Sequence, residues 1–447
     1  MFRDEDIEHI TKNIDTIKNN AILKFKDSYD PTIHENIEVY KIIQNYIKEK
    51  KRIIYGGFAQ HLLIKHKNKT DGVYTEINDV CFNYPEIADM EFYSHEPLND
   101  IVDLTNLLYN LKFKYIEARQ AIHPRSYKIY VNTVNYCDFT YMPKNIYDNM
   151  SIINIDGFIC CHPYFMLLDA YKILNDPLTS YWRLEKPIDR FQKILKYYPI
   201  SKLEKKILID ATPNINNVLK YIRKHFIYKK NVIVIGLYAY NYYIKKIHKK
   251  DMVNINNYDI ISIKFDKDYR KIYKKLKNKF KNIRIVEYYP FYEYIGKSIE
   301  YYYNNILVLR IIDKYDRCTV YNYSEKKKTF FGTNNLVFMH LLFRYYYYFI
   351  NKNKYFTDLY LELIQKFYYS KIDYLNKKNI TVLDKSPFQD FTLKCLGKHI
   401  DLLRKSFIDG KQKLQNKKAF KFKFSPNGEK KNISWHYPDI TGNIKNK

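Results

Sequence analysis

An α+β protein in which one mixed unit occurs twice is the fold class this sequence predicts, and three observations carry it. Two apolar strand patterns, Arg52-Ile53-Ile54-Tyr55 and Val232-Ile233-Val234-Ile235, each run into glycine and then into a helical pattern. Longer β patterns, Ser126 to Phe139 and Ser298 to Ile311, follow in the two halves. Stretches of helical periodicity precede and separate these blocks.

Taken in order, residues 1–50 form a helical N-terminal region with Ile, Leu and Tyr at helical spacing, interrupted at Asp30-Pro31. Residues 51–155 are the first α/β block, 156–228 a helical region and 229–410 the second block. Residues 411–447 are a Lys/Asn-rich basic tail expected to be flexible, with one short strand pattern at Phe420-Lys421-Phe422-Lys423-Phe424. The second block reads as a worn copy of the first. Tyr258-Asp259-Ile260-Ile261-Ser262 can be laid over Ala88-Asp89-Met90-Glu91-Phe92, Ser298 to Ile311 over Ser126 to Phe139, and Leu341-Leu342 over Leu167-Leu168. From glycine to leucine pair is 110 residues in the first copy (Gly57 to Leu167) and 105 in the second (Gly236 to Leu341). Landmarks in one order at one spacing argue for duplication, against the alternative that two blocks of one biased composition match loosely.

The chain has 447 residues and a formal net charge of +28, with 48 Tyr and 27 Phe against 11 Gly and 14 Pro. At about 100 to 200 residues per domain, that length suggests two to four folded units. Lys, Asn, Ile, Tyr and Phe are all written with A/T-rich codons, so part of the cation surplus is coding bias. The remainder still makes a positive field whose commonest partner is a polyanion, nucleic acid above all. Its longest apolar runs, Val232 to Ile244 and Leu336 to Phe343, fall short of the roughly 18 to 20 residues of a membrane span. Met1-Phe2-Arg3-Asp4-Glu5-Asp6 is too charged for a secretory signal and too acidic for a transit peptide, so a cytoplasmic protein is expected. Six cysteines without a C-x-x-C pair read as reduced thiols, mostly in the core. Twelve scattered histidines give no zinc pattern.

The chemistry concentrates in Gly56-Gly57, Asp89-x-Glu91 and Asp138. Side chains at i and i+2 of a strand share a face, so Asp89 and Glu91 project together, with Ala88, Met90 and Phe92 on the other side. Asp138 ends a long strand pattern, again between apolar neighbours. Three carboxylates brought together repel unless cations sit between them, and such an oxygen set suits two Mg²⁺ or Mn²⁺ ions about 3.5 to 4 Å apart. A Gly-Gly turn lets a triphosphate approach the backbone at a helix N-terminus. Arg183, Lys186 and Arg190 stand at i, i+3 and i+7, one basic face if Pro187 is tolerated near a helix start, able to hold a triphosphate or an RNA backbone. In the overlay Asp259 answers Asp89, but Ile261 answers Glu91 and Arg310 answers Asp138, so the second copy has lost the metal chemistry.

These residues resemble the DNA polymerase β-like nucleotidyltransferase superfamily: Tyr55-Gly56-Gly57-Phe58 matches its strand-and-glycine motif, Ala88-Asp89-Met90-Glu91-Phe92 its paired acids and Cys137-Asp138-Phe139 its third acid. The gap of 32 residues from Gly57 to Asp89 is longer than in many members; Asp79 stands closer but lacks a second acid at i+2. Asp89-Met90-Glu91-Phe92-Tyr93-Ser94, the segment Tyr136 to Pro143 and Ser180-Tyr181-Trp182-Arg183-Leu184-Glu185-Lys186 resemble the poly(A) polymerase catalytic subunits of large cytoplasmic DNA viruses, over about residues 50 to 200. That likeness implies a catalytic nucleotidyltransferase domain followed by a degenerate nucleotidyltransferase-like one, and template-independent addition of AMP from ATP to single-stranded RNA 3′ ends. It further implies that Asp89, Glu91 and Asp138 hold two Mg²⁺ or Mn²⁺ ions and do the catalysis, that Gly56, Gly57, Arg183 and Lys186 bind nucleotide, and that the setting is the host cytoplasm, a viral factory or the virion. A homodimer is open, with no face to nominate. Other nucleotidyl transfer with the same acids, or an RNA-binding subunit without activity, are the rivals. A P-loop is disfavoured: Gly296-Lys297-Ser298 has its ending, but position 291 is Phe where the first glycine should stand.

Overall fold

Apolar residues at helical spacing make the first fifty residues two helices, α1 (Asp4–Tyr29) and α2 (Ile33–Glu49), of which α2 buries Val39, Tyr40, Ile43, Tyr46 and Ile47. The structure, a computed structural model, describes residues 2–29, 33–77, 79–83, 86–121, 125–200, 213–228, 231–292, 294–314, 318–397 and 422–426. The chain divides into two units, one comprising Met1–Tyr141, Ile153–Cys160 and Asn416–Trp435, the other Met142–Ile152, Cys161–Gln415 and His436–Lys447.

In the first unit α2 leads into β1 (Ile53–Tyr55) and α3 (Gly56–Lys67). Three short strands, β2 (Thr75–Ile77), β3 (Val80–Asn83) and β4 (Glu86–Ile87), make a separate meander that fills the long gap between Gly57 and Asp89. Asp79 sits in the β2–β3 turn with φ 64°. Then come β5 (Met90–Ser94), α4 (Pro97–Asn110), β6 (Glu117–Gln120), β7 (Ser126–Val131) and β8 (Val134–Tyr141). After α5 (Lys144–Tyr147), which belongs to the other unit, β9 (Ile152–Ile155) and β10 (Phe158–Cys161) complete a sheet of order β6–β7–β8–β5–β1–β10–β9. The tail strand Lys423–Phe424 pairs antiparallel on the outer edge of β6, with Phe424 buried; the rest of the predicted tail lies outside the described residues. Buried Arg52, just before β1, donates to Asp100 (2.6 Å) and Glu96 (2.7 Å) and so ties β1 to α4.

The second unit holds α6 (Pro163–Leu174), α7 (Pro177–Ser180), α8 (Glu185–Tyr197) and α9 (Asn216–Ile222). Next come β11 (Val232–Ile235), α10 (Gly236–Ile244), β12 (Tyr258–Ser262), α11 (Phe265–Lys279), β13 (Ile283–Tyr288), β14 (Ser298–Tyr303) and β15 (Ile306–Asp313). Last are β16 (Thr319–Ser324), β17 (Thr329–Gly332), α12 (Asn334–Ile350), α13 (Lys354–Lys378) and β18 (Cys395–Leu396). Its sheet has the order β13–β14–β15–β12–β11–β17–β16–β18, which repeats that of the first sheet strand for strand up to β18. Parallel and antiparallel pairings also match, as do irregularities at Ile129/Tyr130 and Tyr301/Tyr302.

The registers correct the sequence overlay. Tyr55 stands opposite Glu91 and Ile235 opposite Asp259, so Asp259 answers Glu91, Asn257 answers Asp89, and Gly236 answers Gly56. The leucine pairs slip as well: Ile54 pairs with Cys160 and Val234 with Phe331, which sets Leu167 against Phe338 rather than Leu341. The overlay of Arg310 on Asp138 stands, since Glu91 faces Asp138 and Asp259 faces Arg310.

One neighbouring ion pair runs across both sheets with its polarity reversed. Lys128 of β7 faces Asp138 of β8, while Glu300 of β14 faces Arg310 of β15. Arg310 is 3% exposed and donates to Asp259 at 2.5 Å and to Glu300 at 2.7 Å. Burial works against charge in Asp259, but the guanidinium of Arg310, joined by His340 and Arg344, outweighs it and holds that carboxyl well below its usual range. A side-chain cation therefore stands in the second copy at the register position that Asp138 holds in the first.

Cys318 and Cys395 form a disulfide, with Cα atoms 5.4 Å apart, correcting the expectation of reduced thiols throughout. The two are 77 residues apart, and only the β16–β18 pairing brings them together. Cys81, Cys137, Cys160 and Cys161 are free and buried. Among the described residues no helix is long and apolar enough to cross a membrane.

Removing Arg310 strands two buried carboxylates. Arg310→Met is expected to lower stability by about 3–5 kcal/mol in a denaturant melt, and the triple variant with Asp259→Asn and Glu300→Gln should recover much of the loss.

Candidate active site

The strand-to-helix junction sets the site. Tyr55 ends β1 in extended conformation, and Gly56 then takes φ +65°, a left-handed angle that glycine alone adopts cheaply. A Cβ on Gly56 would lie 1.8 Å from Glu91 Oε2. The turn and the acid on the next strand thus occupy adjoining space. Ring stacking of Tyr55 on Tyr93 (centroids 4.0 Å apart) and a hydrogen bond between the Tyr55 and Thr140 hydroxyls (2.8 Å) hold the strands in this register.

Glu91, Asp138 and Lys128 then follow in one line across β5, β8 and β7. All three are half-buried, as is Asp89 immediately before β5, while Met90, Phe92, Cys137 and Phe139 are buried on the other face. The Asn135 amide spans Asp89 Oδ2 (3.5 Å) and Asp138 Oδ1 (3.3 Å), and Lys128 Nζ lies 2.8 Å from Asp138 Oδ1. Burial raises the Asp138 carboxyl above its ordinary value, Lys128 and Asn135 opposing it. Burial likewise depresses the Lys128 ammonium, but Asp138 more than offsets this and raises it. The structure brings Asp89, Glu91 and Asp138 together beside Gly56.

Two features were not anticipated. The Gly57 N–H, expected to meet a triphosphate, donates to Glu91 Oε2 at 2.7 Å, so an incoming phosphate must displace a carboxylate. Lys128 and Asn135 were missed. Each had a faint signal: a lone cation inside Ser126-Tyr127-Lys128-Ile129-Tyr130-Val131, and a polar residue three before Asp138.

Arg183 and Lys186 belong to the other unit. Arg183 ends a short 3₁₀ turn, Tyr181–Arg183, and Lys186 is the second residue of α8, so they do not share one helix; Pro187 is tolerated as its third residue. The Arg183 guanidinium lies 5.3 Å from the ring centre of Trp182, which is 67% exposed.

Metal ions fit the first cluster by its chemistry. It sets three carboxylates on one face at neighbouring positions, Glu91 beside Asp138 in register and Asp89 joined to Asp138 through the Asn135 amide, an all-oxygen set of the kind hard divalent cations take. A second group, His61, Glu76 and Cys81, lies close enough to ligate. There, however, His61 Nδ1 accepts from the Val73 and Tyr74 backbones (3.2 and 3.1 Å), which leaves its proton on Nε2 facing Glu76 Oε1 at 2.7 Å. Lys65 also bonds Glu76, and this group reads as a knot pinning the meander to α3.

Residues 41–180 match the family described as poly(A) polymerase catalytic subunit, and residues 192–437 match the C-terminal part of the mimivirus-type poly(A) polymerase catalytic subunit. A protein of Acanthamoeba polyphaga mimivirus named as a poly(A) polymerase catalytic subunit is 27% identical, covering 95% of this chain and 78% of its own. One of African swine fever virus, similarly named, is 28% identical over 36% of this chain and 33% of its own. The crystal structure of the Megavirus polyadenylate synthase superposes with a TM-score of 0.85 at 28% identity, over 95% of this chain and 86% of that one.

Gly56→Ala is expected to destabilise the first unit by more than the roughly 1–2 kcal/mol of a left-handed angle, because the added Cβ also meets Glu91. A denaturant melt checks this; an unchanged midpoint would show that the junction relaxes freely.

Proposed function

We propose how this chain, which belongs to the viral poly(A) polymerase catalytic subunit family and is a polynucleotide adenylyltransferase, performs its reaction: Asp89, Glu91 and Asp138 form a two-metal centre that transfers AMP from ATP to the 3′ end of single-stranded RNA. The observation that carries this reading is the line of Glu91, Asp138 and Lys128 across one register, with Asp89 beside it and Gly56 adjoining.

Asp89 and Glu91 would hold both ions, Mg²⁺ or Mn²⁺, and Asp138 the one nearer the primer. When bound, such ions polarise the α-phosphate and acidify the primer 3′-hydroxyl. Gly56, lacking a Cβ, would leave the backbone open to the triphosphate, and the Gly57 N–H would be free to donate to a phosphate oxygen if Glu91 released it. Asp138, held by Lys128 and Asn135, would take the 3′-hydroxyl proton. The 3′ oxygen forms a bond to the α-phosphorus while the bond to the bridging oxygen breaks, and pyrophosphate leaves with that electron pair. Arg183 and Lys186 are proposed phosphate contacts on the chemistry of their cations alone. The proposed setting is the host cytoplasm.

Extension of an oligo(A) primer with ATP and Mg²⁺ or Mn²⁺ tests this. Asp138→Ala and Asp89→Ala should each lose about a thousandfold or more in rate with the melting midpoint kept. Activity surviving Asp138→Ala would place the centre elsewhere, and equal use of all four nucleotides would remove adenylate selectivity.

We also propose that the enzyme is a homodimer joined through α1. Ile7, Ile10, Ile14, Ile17 and Ala21 follow the alternating three-and-four spacing of a coiled-coil seam, and among its described residues α1 buries none. A lone helix of this kind is marginal in water, and a second copy presents the same seam. Sedimentation should show a dimer for the full chain and a monomer for Ile14→Lys/Ile17→Lys; a wild-type monomer at micromolar concentration would overturn it.

A further inference from the structure

Outside the acid cluster, a group of cations that have no carboxylate partner among the described residues gathers on the second unit. Lys327, in the β16–β17 turn, places its ammonium 4.6 Å from the ring centre of Tyr238 and 5.7 Å from that of Phe331. Phe331 stacks on Tyr242 (4.2 Å, 7° between planes), and Lys246 lies 5.2 Å from the Tyr242 ring. Lys245 adjoins Lys246 at the end of α10, and Arg223 closes the group from the turn after α9. Lys245 and Lys246 are exposed, and Tyr228 beside Tyr238 is 42% exposed. Among the described residues none of Arg223, Lys245, Lys246 and Lys327 makes an ion pair with an acid. The Lys327 ammonium is depressed, first by burial and then by repulsion from Lys245, Arg223 and Lys246.

Like charges held together cost stability unless an outside anion offsets them. Interleaved rings and cations suit a single strand: rings accept any base face, and cations accept any phosphate.

We propose that this face is a binding surface for single-stranded RNA, with Arg223, Lys245, Lys246 and Lys327 on successive phosphates and Tyr228 offering a ring to a base. It rests on the reading that RNA is the substrate.

The test uses the full-length protein and fluorescein-labelled oligo(A), with binding followed by anisotropy across a salt series. Lys245→Glu/Lys246→Glu/Lys327→Glu should weaken binding about 10- to 100-fold and lower the log–log salt slope by about 2, near 0.7 for each lost phosphate contact. The Gln triple variant should show the same slope change with a milder loss, which separates lost contacts from misfolding. AMP addition at saturating primer should persist in both. Unchanged affinity and slope would overturn the proposal, as would a loss seen with ATP in competition but not with oligo(A). If wild type extends RNA and the variants bind it equally well, this surface alone is wrong. If wild type neither binds nor extends RNA, the functional reading falls with it.

Discussion

A glycine held at a left-handed backbone angle against a carboxylate is the constraint on which the rest depends. At Gly56 the chain must leave a strand and enter a helix within one residue, and the space a side chain would need is taken by Glu91. That contact sets the register of β5 on β1. The register sets β8 on β5, and hence Asp138 beside Glu91. The second copy keeps the same constraint at Gly236, with φ +68° and Asp259 Oδ2 2.2 Å from where a Cβ would stand. The junction is the same in both copies although the acids around it differ, as suits a backbone solution that determines how a whole sheet is ordered.

What separates the copies is how each balances negative charge in a partly buried place. In the first, the ammonium of Lys128 pairs with Asp138, while Asp89 and Glu91 add further negative charge on the same face. In the second, Arg310 replaces the third acid, and Glu300 replaces Lys128, so the charges compensate internally. A buried guanidinium between two carboxylates is stable only with close geometry, which the distances supply. Among the described residues Arg223, Lys245, Lys246 and Lys327, on that second unit, make no ion pair with an acid.

Much of this was legible in the residues. The D-x-E pattern, the lone acid at 138 and the glycine turn are local signals, and strand alternation placed them on one face. The match of Ser126 to Phe139 with Ser298 to Ile311 was in register because both segments are long. The match at Asp259 was two residues out because a five-residue strand with one acid fits either position equally well. Lys128 and Asn135 left only faint signals, since what they bond to lies on neighbouring strands: Lys128 reaches Asp138 and Asn135 reaches Asp89. The Cys318–Cys395 bond and the α8 start depended on contacts or turns that spacing does not encode.

By itself the sequence determined the α+β class, the doubled unit, and the identity of the acids, because periodicity and residue chemistry are properties of short windows. Only the tertiary structure decided which acid in one copy answers which in the other, that Glu91 caps the helix in place of a phosphate, and which cations have partners. Those are properties of register and long-range pairing, where one step along a strand moves a side chain to the opposite face.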